Sequence, residues 1–213
     1  QKEYFLTLKN EEIMKIEEIV REVPKVLLHD HLDGGLRPET IIELAEQINY
    51  KKLPTKDPKE LAEWFFRGAN KGNLVEFLQG FEHTIAVMQT KENLERVAYE
   101  MIEDMHKDGV VYVETRFAPA LHTNNGLYYD DVMHAVLDGL ERGKKDFGVG
   151  FGLILCSLRN MTNSLEIAEL AVNYRDKGVV GFDLAGEEGG YPPKKHLDAF
   201  QYIMRENFNI TIH

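Results

Sequence analysis

Apolar and polar positions along the chain follow two periods in turn. Short runs rich in β-branched and apolar residues occur at Val26–His31, Val110–Phe117, Val149–Cys156, Val179–Leu184 and Asn209–His213, and each reads as a strand. The intervening stretches Leu94–Lys107, Asp130–Asp146, Ser164–Lys177 and Lys194–Glu206 carry apolar residues at helical spacing. Strands alternating with helices are the signature of parallel βα units. The gap after the first strand is longer and holds helical patterns near Glu39–Gln47, Pro58–Arg67 and Leu74–Thr90, which predicts an insertion on the side where a barrel carries its site. A further helix is predicted over Asn10–Glu22, ahead of the first strand. Five such strands fit either a doubly wound sheet or part of an eight-stranded barrel, and a whole barrel takes about 250 residues. The chain has 213 residues and finishes on a strand; with no internal repeat and no shift of composition, residues 1–213 read as one domain.

Polar chemistry gathers at the strand ends. His29 and His31 are two residues apart on the first strand and so point to one face, Asp33 continues that face, and Gly34-Gly35 breaks the strand. The fourth strand runs into Asp183-Leu-Ala-Gly-Glu-Glu188. In the last segment Ile210 and Ile212 alternate with Thr211 and His213, so His213 faces inward if the isoleucines face the helices. In a parallel barrel these ends share one face, and His29, His31 and His213 converge there. Three neutral imidazoles suit Zn2+ or a similar borderline metal. Plainer roles compete elsewhere. Asp183 and Glu187 could cap the next helix, and Glu114 with Arg116 could form an inward structural ion pair. His83, His106, His122, His134 and His196 read as surface or packing residues. Asp30 falls on the face of Val26 and Leu28, where an ionised carboxylate is costly, and the sequence offers it no partner.

Composition removes several functions. The net charge is −11 and the pI about 5.2, with no basic stripe, so nucleic acid is not an expected partner. No apolar run is long enough to span a membrane, and the N-terminus lacks a signal-peptide core. The single cysteine, Cys156, sits in an apolar run and reads as a core residue, which fits a reducing, cytoplasmic setting.

Four segments in order then show a resemblance: Leu28-His-Asp-His-Leu-Asp-Gly-Gly35, Val110-Val-Tyr-Val-Glu-Thr-Arg-Phe-Ala-Pro119, Val179-Val-Gly-Phe-Asp-Leu-Ala-Gly-Glu-Glu188 and Asn209-Ile-Thr-Ile-His213. Together they resemble the zinc-dependent adenosine deaminase family. The resemblance implies an α/β fold, a (β/α)8 TIM barrel with one zinc at its C-terminal face, of which this chain supplies about the first five strands. It implies His29, His31 and His213 as zinc ligands, with His31 and Asp33 near the ribose and Asp33 accepting from its 5′-hydroxyl. The backbone N–H of Gly186 would point at N3 of the purine, where glycine allows close approach. The insertion around Leu61–Phe66, with Trp64, Phe65 and Phe66, would form an apolar lid.

The family chemistry is hydrolytic deamination: activated water attacks C6 of adenosine or deoxyadenosine, a glutamate protonates N1, and ammonia leaves. That glutamate is expected just after His213, so the chain itself carries no proton-transfer residue. Alone it is expected to be inactive, with the rest of the barrel on a second polypeptide or on further chain. The partner implied is a small purine nucleoside. Adenine deaminase of the same family is the alternative, and a non-catalytic purine-binding fragment is another. AMP deaminase is disfavoured because no basic cluster adjoins the motifs. Asp30 departs from the family, which carries an apolar or small residue there.

Overall fold

The five apolar runs assemble into one parallel sheet whose spatial order, β1-β2-β3-β4-β5, is the order of the chain. The strands are β1 (Lys25–His31), β2 (Val110–Phe117), β3 (Gly150–Leu158), β4 (Val179–Ala185) and β5 (Ile210–Ile212). A computed structural model describes residues 16, 18–20 and 23–213, without the side chains of residues 75 and 76. The helix expected over Asn10–Glu22 lies mostly outside the described residues. A doubly wound sheet would reverse its strand order at a switch point; the uninterrupted order here is instead that of a barrel wall curling in one direction.

Parallel neighbours need crossover helices, and each pair has one. Before them come the four helices of the insertion: α1 (Pro38–Gln47), α2 (Pro58–Ala69), α3 (Leu74–Leu78) and α4 (Phe81–Val87). The crossovers are α5 (Lys91–Lys107), α6 (Tyr129–Phe147), α7 (Ser164–Asn173) and α8 (Leu197–Arg205). Asp57 caps α2 by accepting from the amides of Lys59 and Glu60, and Thr90 caps α5 by accepting from that of Asn93. The pattern expected to run from Leu74 to Thr90 is broken at Gln79-Gly80, and the break lets Phe77 and Phe81 stack edge to face at 5.5 Å.

Alternate residues on each strand sort to two faces. Val113 and Phe117 of β2, Leu153 and Leu155 of β3, and Phe182 of β4 join the core beneath the crossover helices. The other face carries Arg116, Cys156, Asp183 and Thr211. In β1 the alternation is interrupted. Val26 lies opposite Tyr112 but Asp30 lies opposite Thr115, so an extra residue bulges between Leu27 and Asp30. Tyr112 and Thr115 have opposite parity, and Asp30 therefore does not share a face with Val26. The expectation that it did overlooked the bulge.

The insertion is tied to α5 by charge. Arg37 Nε donates to Asp104 Oδ2 at 2.8 Å and its Nη2 to Glu103 Oε2 at 2.6 Å, while Thr40 donates to Glu100 at 2.6 Å. Among the described residues no helix is long and apolar enough to cross a membrane.

Helices α5 and α6 approach closely because α6 carries glycine at 139 and 143, one turn apart. A Cβ at Gly143 would come within 2.7 Å of the Ile102 side chain, and one at Gly139 would overlap the carbonyl of Glu95. Helix propensity alone favours alanine over glycine by about 1 kcal/mol, whereas overpacking costs about 1–3 kcal/mol. Gly139→Ala is expected to lower stability to urea by about 1–3 kcal/mol, since backbone cannot yield as a side chain can. Gly68→Ala in α2, where nothing among the described residues lies within 4 Å, is expected to leave stability unchanged or raised.

Candidate metal centre

The bulge in β1 and the ordinary alternation of β5 bring three histidines to one point. The Nε2 atoms of His29 and His31 are 3.3 Å apart, those of His31 and His213 3.2 Å, and those of His213 and His29 2.9 Å. Zinc–imidazole bonds of 2.0–2.1 Å put two ligand nitrogens about 2.9–3.4 Å apart for angles between about 90° and the tetrahedral value. The triangle matches that spacing on every side, and these residues together can hold one metal ion. The three histidines expected as ligands are thus the ones brought together.

Hydrogen bonding fixes how His213 presents itself. Its Nδ1–H donates to Asp183 Oδ2 at 2.6 Å, which leaves the Nε2 lone pair facing the triangle. Asp183 is completely buried. It also accepts from Thr211 Oγ1 at 2.7 Å and from Cys156 Sγ at 3.2 Å. Burial pushes the Asp183 carboxyl up, but the bonds from His213 and Thr211 outweigh it and hold the group below its usual pKa. Burial draws His29 and His31 below the usual imidazole range, and the nearby cation of Arg116 adds to this in both. Neutral imidazole is the form that binds a metal.

Asp183 does not cap the following helix: its oxygens serve His213 and Thr211, and α8 begins without a side-chain cap. Glu187 is exposed. Arg116 does not pair with Glu114; its Nη1 lies 3.6 Å from Asp183 Oδ1, and Glu114 instead accepts from Tyr112 at 3.4 Å. What marks Asp183 is its register opposite Thr211 across β4 and β5, a relation between strands that the pattern within β4 does not display.

Asp33 is also buried. Its Oδ2 accepts from the amide of Ala118 at 3.2 Å and lies 3.8 Å from His122 Nε2, while its Oδ1 has no hydrogen-bond partner among the described residues. Gly186 turns the chain out of β4 with φ +97°, a conformation that glycine adopts freely. The amide of His213 donates to Leu184 O at 3.0 Å, so Gly186 sits two residues past that junction.

A cavity of about 580 Å³ opens beside the histidines. The insertion supplies most of its wall, including Trp64, Phe65, Phe66, Phe77 and Phe81, and the ring of Phe81 meets that of His31 edge to face at 5.9 Å. Phe66 is 70% exposed whereas Leu61 is fully buried, so the expected lid segment divides into a wall and an anchor. Asp30 lines the same cavity; burial raises its pKa, partly offset by a hydrogen bond from the His31 backbone. Asp33 and Gly186 lie outside the lining. His83, His122 and His196 pack in the interior as expected, His122 through Nδ1 to the Met88 carbonyl at 3.0 Å.

With this geometry established, comparison places the chain among known proteins. A family model described as adenosine deaminase matches residues 24–213. The adenosine deaminase of Mycobacterium ulcerans is 53% identical over 199 residues, which cover 91% of this chain and 55% of that protein. The chain therefore spans about half the length of the curated relatives it matches. The crystal structure of an adenine deaminase from Arthrobacter aurescens superposes with a TM-score of 0.76 at 28% identity, over 88% of this chain and 56% of that one. An amidohydrolase from Burkholderia ambifaria, solved with bound zinc, superposes at 0.73 and 25% identity, over 91% and 52% of the two chains.

Removing the carboxylate behind a metal-binding histidine typically weakens the metal about 10–100-fold. Asp183→Asn is expected to weaken zinc binding by that factor in a chelator competition, and Glu187→Gln, an exposed position, to leave it unchanged.

Proposed function

The chain belongs to the adenosine deaminase family, and we propose that its full-length protein is a zinc-dependent hydrolase converting adenosine and deoxyadenosine to the inosine nucleosides and ammonia. One observation carries this reading: three ring nitrogens, each within 3.3 Å of the other two, at the strand ends beside an apolar cavity. His29, His31 and His213 hold the zinc, which supplies an activated water at neutral pH.

The remaining roles belong to side chains and backbone. Asp33 Oδ1, buried and without a partner among the described residues, accepts from the 5′-hydroxyl, close to His31. The Gly186 N–H donates to the purine N3. Trp64, Phe65 and Phe66 exclude water from the base, which strengthens each polar contact. The carboxylate that protonates N1 comes from outside these 213 residues, and turnover needs the part of the barrel that carries it. The cytoplasm is the setting we assign, supported by one cysteine that is buried and free. The higher identity to an adenosine deaminase, 53% against 28% for the adenine deaminase, favours the nucleoside over the free base as substrate.

The test is steady-state turnover of adenosine, 5′-deoxyadenosine and adenine by the zinc-loaded full-length protein. Adenosine is expected to be the best of the three, with activity lost to a chelator and restored by zinc. Losing a hydrogen bond to a charged group is worth about 1.5–3 kcal/mol, or roughly tenfold and more. Asp33→Ala is expected to raise KM for adenosine by at least that factor and to leave 5′-deoxyadenosine little changed. A preference for adenine would overturn the substrate assignment, and an equal loss for both nucleosides would overturn the role of Asp33.

A further inference from the structure

Strands β1 and β5 stand at opposite edges of the sheet and share no backbone ladder, yet their histidines meet at 2.9 Å. Register passed strand by strand through β2, β3 and β4 would accumulate every small shift on the way. A shorter route crosses the inner face of the sheet, and it runs through one side chain.

Arg116 lies on β2, is 4% exposed, and pairs in register with His31. Its backbone carbonyl accepts from the Leu32 amide at 2.9 Å. Its Nη2 donates to the carbonyl of Leu28, the residue before His29, at 3.2 Å. Its Nη1 donates to Thr211 Oγ1, two residues before His213, at 3.4 Å, and lies 3.6 Å from Asp183 Oδ1. Thr211 spends its own proton on Asp183 Oδ1, so its oxygen is free to accept. One planar group thus grips the backbone beneath one ligand and the side chains that set another. It does so while its Nε–H stays buried without a partner among the described residues, which is a net cost to folding. Its charge also opposes a nearby metal cation. Its ion pair with Asp183 does not by itself call for the bonds to Leu28 and Thr211, and those bonds suit a residue kept for its reach.

We propose that Arg116 is the positioning residue of the metal centre, spanning the interior of the sheet to fix the β1 ligands His29 and His31 against the β5 ligand His213. The proposal rests on reading the three histidines as a zinc site. Lysine cannot replace arginine in this role, because a single ammonium cannot occupy both ends of the span as the guanidinium fork does.

The experiment measures the zinc dissociation constant by chelator competition, and the absorption spectrum of the cobalt(II)-substituted site, in the full-length protein and in R116K, R116Q and T211V. Loss of a group that orients metal ligands is expected to weaken zinc about 10–100-fold. R116K and R116Q should both show that loss together with an altered cobalt spectrum. T211V, which keeps the arginine and removes its anchor near His213, should shift both readouts the same way by less. Wild-type affinity and spectrum in R116K would overturn the proposal in favour of charge alone. Tighter zinc in R116Q would overturn it in favour of simple repulsion. Should the arginine variants fail to fold, wild-type behaviour of T211V overturns it by itself. A wild-type protein that takes up no zinc removes the metal reading as well, which separates the two failures.

Discussion

Three imidazole nitrogens held within 3.3 Å of one another are the constraint that organises this molecule. His213 has given its only neutral-state proton to Asp183, so its Nε2 offers a lone pair. Hydrogen bonding among three such nitrogens satisfies only part of the triangle, while a single cation at its centre satisfies all of it. Holding the nitrogens there falls to the interior of the sheet. Asp183 stays ionised although completely buried, because His213, Thr211 and Cys156 all donate to it. A buried carboxylate without those donors would be too costly to keep.

The sheet supplies the ends and the insertion supplies the surroundings. Parallel strands in chain order bring their C-terminal ends to one side, which is why residues as distant as His29 and His213 meet. Helices α2, α3 and α4 of the insertion wall one side of that point with aromatic rings, and Arg37 clamps the start of the insertion to α5. A cavity beside the histidines with a largely apolar wall favours a ligand with an apolar face and amplifies the few polar groups that face it.

The strands, the crossover helices and the three histidines were legible in the sequence because each rests on local period. Alternation placed His29 beside His31 and turned His213 inward, and both hold. What escaped depends on relations between strands. The bulge between Leu27 and Asp30 is a mismatch of β1 against β2, and no periodicity within β1 reveals it, so simple alternation puts Asp30 on the wrong face. The pattern within β2 offers Arg116 only Glu114, two residues away; its ion-pair partner Asp183 is two strands away. Asp183 itself looked like a helix cap, since its link to His213 exists only once β4 and β5 are in register. The close contact of α5 with α6 likewise rests on what Gly139 and Gly143 lack, which no hydrophobic pattern displays.

The most direct measurement is zinc K-edge X-ray absorption on the full-length protein loaded with one equivalent of zinc. Three imidazole nitrogens at about 2.0–2.1 Å in the first shell are the expected result. Fewer than three imidazoles, or a sulfur ligand at about 2.3 Å, would contradict a metal held by His29, His31 and His213.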